Sequence, residues 1–165
     1  MAGASSTVTI ERRGDREIVY SREFDAPREL VFKVLTDPKL IPNWWGPRAY
    51  KTVVDKMEVR PGGAWRYLNI TPDGQEHAFR GVYREIVPPS KLVLTFEWEG
   101  MPGHISVQTM VLEAKGDKTL VTATAVFDTK ADRDGMWESG AQTGGRETWE
   151  RLAEVISAQR SAVRS

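Results

Sequence analysis

The sequence predicts an α+β fold in which a curved antiparallel sheet of about seven strands wraps on one long C-terminal helix. Three observations carry this reading. Residues 50–128 break into short segments with period-two alternation separated by turn signals, residues 25–43 switch to helical spacing, and Asp132 to Ala158 forms an amphipathic stretch. A chain of 165 residues folding as one domain buries roughly two-thirds of its unfolded surface, so it can build a full core without cross-links.

Taken in order, a Ser/Thr/Gly-rich segment at residues 1–16 is expected to be a flexible tail, and the domain proper is expected over 17–158. Glu17 to Phe24 sets Ile18, Tyr20 and Arg22 against Val19, Ser21 and Glu23, the alternation of a first strand. Asp25 can then cap a helix whose first turn suits Pro27, with Leu30, Val31, Val34 and Leu35 at helical spacing. Asp37-Pro38 ends it and opens a second short helix that runs out at Asn43.

Pro61-Gly62-Gly63, Pro72-Asp73-Gly74, Pro88-Pro89-Ser90, Gly100 to Gly103 and Lys115-Gly116-Asp117 then punctuate strands expected near 50–59, 63–70, 76–87, 91–99, 105–114 and 118–128. The closing helix carries Trp149, Leu152, Ala153, Val155 and Ile156 on one side, and residues 159–165 are expected to form a C-terminal tail. Its first half contains Gly135, Gly140, Gly144 and Gly145, each costing about 1 kcal/mol against alanine in a helix, so 135–145 reads either as a helix or as a loop. Strand, two short helices, six strands and a long helix make a helix-grip architecture, in which the helix covers the concave face of the sheet.

Composition narrows the function. Basic and acidic residues balance at 23 each, which removes the cationic field expected of a nucleic-acid or anionic-membrane binder. No cysteine is present, so thiolate chemistry and disulfides are excluded and a reducing, cytoplasmic location is expected. No signal-peptide-like or membrane-spanning apolar run occurs. The two histidines, His77 and His104, show no HxH or HExxH spacing, so neither a metal nor any other cofactor is expected. Gly-x-Ser-x-Gly is absent, and Pro61-Gly62-Gly63 links two strands instead of opening a helix as a phosphate loop would. Glu97 and Glu99 share the strand face opposite Leu92, Leu94, Phe96 and Trp98, which reads as a solvated outer face rather than an acid/base pair.

The aromatic residues say more. Trp65 with Tyr67, Phe79 with Tyr83, and Phe96 with Trp98 are spaced two or four apart along strands, so each pair points to one side of the sheet. Buried Tyr and Trp also need partners for their polar atoms, which suits a cavity wall better than a wholly dry core. Of the adjacent Trp44 and Trp45, only one can face the same interior.

The segments DAPRELVFKVLTDPKLIPNWWGP, VRPGGAWRY, GVYREIVPPSKLVLTFEW and GGRETWERLAEVI, in that order, resemble the SRPBCC, or START-like, superfamily. The nearest branch is the bacterial proteins similar to the C-terminal domain of the activator of the ninety-kilodalton heat-shock chaperone ATPase. The resemblance covers about residues 17–158 and departs at Gly144-Gly145, where many relatives carry Gly-Trp at the upper wall of the cavity. It implies a hydrophobic cavity in a superfamily that includes lipid carriers, polyketide cyclases, antibiotic-sequestering proteins and co-chaperones.

The resulting expectation is binding or carriage of a small hydrophobic molecule in a pocket near Gly135 to Thr148. Its expected wall is Trp45, Trp65, Tyr67, Phe79, Tyr83, Phe96, Trp98, Phe127, Met136 and Trp137, with Gly140 and Gly144 opening the helix side and Tyr67, Tyr83 or His104 orienting the ligand. A cyclase- or hydrolase-type enzyme using His104, Tyr83 or Glu97 in the same cavity is the first alternative. A chaperone-binding module acting through the outer surface is the second. No catalytic residue is assigned, and the reading leans away from an enzyme. A chaperone and a second copy of the chain are the macromolecular partners left open.

Overall fold

The computed structural model describes residues 7–164. Eight strands form one curved antiparallel sheet in the order β1-β2-β8-β7-β6-β5-β4-β3. They are β1 (Thr9–Arg13), β2 (Glu17–Phe24), β3 (Lys51–Met57), β4 (Ala64–Ile70), β5 (Glu76–Val87), β6 (Lys91–Trp98), β7 (Ile105–Lys115) and β8 (Lys118–Val126). Helices α1 (Arg28–Thr36) and α2 (Ile41–Trp44) cross from β2 to the far edge of the sheet, and α3 (Lys130–Met136) and α4 (Gly144–Arg164) follow β8.

The six-strand meander lies where the turn signals placed it, because each Gly- or Pro-containing turn closes a hairpin of antiparallel strands. Two register shifts, at Val54/Lys56 and at Tyr83/Glu85, sit in the half of the sheet that carries the aromatic residues. Bulges of this kind bend and twist a strand, which helps the sheet close on its helix. The last connection is long-range: β2 returns to pair with β8 from Glu17↔Val126 to Phe24↔Thr119.

Helix α4 buries Trp149, Leu152 and Ile156 against the sheet, with Leu152 only 2% exposed. Trp149 stacks between Tyr20 and Phe24, each ring 5.9 Å away. Burying three such side chains contributes about 1.5–3 kcal/mol apiece. Val31, Val34 and Leu35 of α1 close the same core from above β7 and β8.

Four expectations are corrected. Residues 9–13, expected within a flexible tail, add an eighth strand; residues 1–6 lie outside the described residues. The closing helix is not continuous from 132 to 158: α3 passes into a π-helical turn at Trp137–Ala141 and the chain kinks at Gly140 before α4 begins. Gly140 has φ 157° and ψ 7°, a conformation that a side chain disfavours. Helix α4 then continues to Arg164, through most of the expected C-terminal tail. Asp25 does not cap α1, whose N-cap is Pro27 with no side-chain hydrogen bond; Asp25 is instead held by Arg160 through its backbone carbonyl and, at 2.7 Å, through Oδ1.

Candidate functional site

Period-two alternation sends Trp65, Tyr67 and Asn69 of β4, Phe79, Gly81 and Tyr83 of β5, and Leu94 and Phe96 of β6 to the concave face, where the register sets them side by side. Trp45, from the corner after α2, drops onto them. Its ring centroid lies 5.1 Å from Tyr67, 5.2 Å from Phe79, 6.2 Å from Trp65 and 6.4 Å from Phe96, mostly edge to face. Trp65 also meets Tyr67 at 4.7 Å, and Phe79 meets Phe96 at 5.6 Å. Trp65 and Tyr67 are buried, whereas Trp45, Phe79 and Phe96 are half-buried. The adjacent Trp44 turns the other way and donates its indole N–H to the carbonyl of Val34, 3.2 Å away.

What fixes Trp45 is a buried arginine that sequence reasoning missed. Arg151 of α4 donates to the carbonyls of Gly46 (2.7 Å), Asn43 (2.9 Å), Pro42 (3.3 Å) and Trp45 (3.5 Å), the backbone acceptors left open where α2 ends. The Trp45 carbonyl also accepts from Thr52 Oγ1 at 2.6 Å, and Thr52 meets Asn69 Oδ1 at 2.8 Å. Gly46 has φ 86°, and a Cβ there would come within 2.8 Å of Asn69. The signal for Arg151 was in the sequence: it is a charged residue set between Trp149 and Leu152, both on the buried side of α4.

Tyr83 packs beside this basin, and its phenol, like that of Tyr67, is pushed up from its ordinary pKa, mainly by burial. The Tyr67 hydroxyl donates to Met57 Sδ at 3.6 Å. Tyr20, under Trp149, is pushed up to about 12 by burial. These phenols are neutral hydrogen-bonding groups at physiological pH. Two further polar side chains face the basin from β7: Ser106, opposite Phe96, and Gln108, opposite Leu94. They too were missed, although the alternation of ISVQTMVL puts them on the same side as Met110 and Leu112.

The other expected wall residues lie elsewhere. Trp98 sits at the rim, 37% exposed, with its ring over Gly100 and 6.3 Å from His77. His104 is exposed and its Nδ1 meets Asp132 Oδ1 at 2.8 Å, tying the start of β7 to α3. Phe127 joins Ile18, Ala125 and Ala141 in a separate cluster flanked by Met136 and Trp137, with Arg12 stacked 4.9 Å over the Trp137 ring. Gly140 forms the kink, and a Cβ at Gly144 would meet nothing within 4 Å.

On the convex side, Glu97 accepts from Arg80 Nε (3.1 Å) and from the Gly103 N–H (2.7 Å), while Glu99 forms a two-pronged pair with Arg66 at 2.7 and 2.9 Å. The Gly103 bond first and then Arg80 hold Glu97 below the ordinary carboxylate pKa, and Arg66 does the same for Glu99. Glu97 is therefore an ionised turn anchor on the face opposite the rings. Among the described residues, no group of three or more His, Cys, Asp or Glu side chains is arranged to hold a metal ion, and no helix is long and apolar enough to cross a membrane.

A family model, described as activator of Hsp90 ATPase homolog 1-like protein, matches residues 25–157. The chain belongs to that family. Solved structures share its fold. One, from Arthrobacter aurescens, is 24% identical with a TM-score of 0.86, covering 93% of each chain. Another, from Rhodobacter sphaeroides, is 22% identical with a TM-score of 0.85, covering 93% of this chain and 99% of its own. A third, named as the AHSA1 protein of Silicibacter pomeroyi, is 19% identical with a TM-score of 0.72, covering 87% and 99%. No curated protein matches the chain. The match spans α1, the whole β3–β8 meander and most of α4, so every element that builds the aromatic basin of this AHSA1-like chain lies within it.

Proposed function

We propose that this AHSA1-like protein binds a small hydrophobic molecule on its concave face, between the aromatic basin and the glycine-rich start of α4. The observation that carries the reading is the half-burial of Trp45, Phe79 and Phe96, rings that a filled core would cover completely. Gly144 lies on the same stripe of α4 as Arg151, two turns nearer its N-terminus, and Arg151 reaches the Trp45 corner. A Cβ at Gly144 would meet no atom within 4 Å, so the helix leaves a gap there.

An apolar ligand lying on these rings removes aromatic surface from water at roughly 25 cal/mol per Å², so each 100 Å² contributes about 2.5 kcal/mol. Ser106 and Gln108 supply the few polar contacts that orient such a ligand. The test is uptake of N-phenylnaphthylamine, a neutral probe that fluoresces in apolar surroundings. Gly144→Trp is expected to fill the gap and abolish the probe signal while leaving circular dichroism unchanged. Undiminished probe binding in that folded variant would overturn the proposal.

A further inference from the structure

On the other side of α4, away from the basin, a cleft of about 240 Å³ opens between β2 and the C-terminal half of the helix. Phe24, Ala153 and Ile156 give it an apolar strip, and the rest of its lining is polar, with the cations Arg22 and Arg160, the carboxylates Glu23 and Asp25, and Ser157. It continues into a more open groove of about 700 Å³ that shares Arg22, Ala153 and Ser157. No residue of the expected ligand wall takes part in either space.

Arg22 is the anomaly here. It occupies a concave-face position of β2, opposite the buried Val121 of β8, where the rest of the face is mostly apolar. Its Nε is fully buried and has no hydrogen-bond partner. Its guanidinium carbon lies 5.3 Å over the Phe24 ring, a cation–π contact that supplies no hydrogen-bond acceptor. A buried charged donor without a partner is expensive, and natural proteins keep few of them.

The carboxylates nearby already have contact partners. Asp25 is held by Arg160, Glu23 lies 3.9 Å from Lys118, and Glu154 pairs with Arg48 at 2.9 Å. Glu150 acts on Arg22 only through space, without an ion-pair contact. Among the described residues, the Arg22 side chain, which lines the cleft, thus has no contact counter-ion.

We propose that this cleft is a second binding site, for a small organic acid whose carboxylate meets the Arg22 guanidinium and whose apolar part lies on Phe24, Ala153 and Ile156. A single negative charge fits, because one guanidinium lacks a contact counter-ion and Glu150 and Glu154 flank the groove and repel a dianion such as phosphate more strongly. The small volume, under the usual range for drug-sized ligands, calls for a short molecule.

The test is calorimetric titration of the full chain with octanoate, and with octanol as the matched neutral probe. Octanoate is expected to bind, with octanol about tenfold weaker or worse, the cost of losing a charge-assisted pair. Arg22→Met should weaken octanoate by about tenfold or more, with folding checked by circular dichroism. If that variant does not fold, Arg22→Lys, which keeps the charge but loses the planar guanidinium, should show a partial loss. Gly144→Trp, which fills the other face, should leave octanoate binding unchanged. No octanoate binding by the native chain, equal binding by the Arg22 variants, or loss in Gly144→Trp would overturn the proposal.

Discussion

Arg151 shows how much one side chain can govern. Its guanidinium has backbone carbonyls in place of a carboxylate partner, and burial holds its pKa below the ordinary arginine value. Removing it takes the arginine donor from the carbonyls of Gly46, Asn43 and Pro42, while Thr52 still serves the Trp45 carbonyl. Arg151→Met is therefore expected to destabilise the protein by about 2–4 kcal/mol. A red shift of tryptophan emission as Trp45 loosens would accompany the lower melting temperature. Arg151→Lys should recover only part of the loss, since one ammonium cannot span the four carbonyls. Unchanged stability in Arg151→Met would show that Thr52 and Asn69 hold the corner alone. At this scale the sequence was most legible where rings alternate along strands, as for Trp65, Tyr67, Phe79 and Phe96. It was least legible for His104 and Trp98, whose loop and rim positions depend on how the β6–β7 turn folds back over Gly100.

At the level of elements, the glycines after β8 have two opposite roles. Gly135 lies within α3 with open space where a Cβ would go, so it only adds conformational entropy to the unfolded chain. Gly140 holds the kink between the π-helical turn and α4. Gly135→Ala is expected to stabilise by about 0.5–1 kcal/mol, and Gly140→Ala to destabilise by about 1–3 kcal/mol. Thermal or urea melts of the two variants check this, and a stabilising Gly140→Ala would mean that the kink is dispensable. From the sequence, the excess of glycine was visible but its division of labour was not, because helix propensity is the same for both positions and only φ separates them. Strand β1 escaped notice for a related reason. TIERR offers no continuous buried face and is held by backbone pairing along the edge of β2, a partner that period-two hydrophobicity does not reveal.

The whole molecule is a meander closed by one distant pairing, and that sets where it should be most and least stable. Strands β2, β8 and β7 lie inside the sheet beneath α1 and α4, whereas β1 and β3 are its edges. Amide exchange is expected to be slowest in β2, β8, β7 and around Leu152, and fastest in β1; fast exchange in β8 would contradict the packing described here. The local turns made the meander readable from sequence, but the insertion of β2 between β1 and β8 was not, since no local signal links residues about 100 positions apart. That same pairing has a temporal consequence during synthesis. The inner edge of β2 leaves the ribosome well before β8 exists, and at ordinary elongation rates it waits roughly 5–20 s for its partner. The β1–β2 hairpin forms from adjacent residues and guards one edge of β2 throughout that wait, so the nascent chain exposes a single open strand edge in place of two.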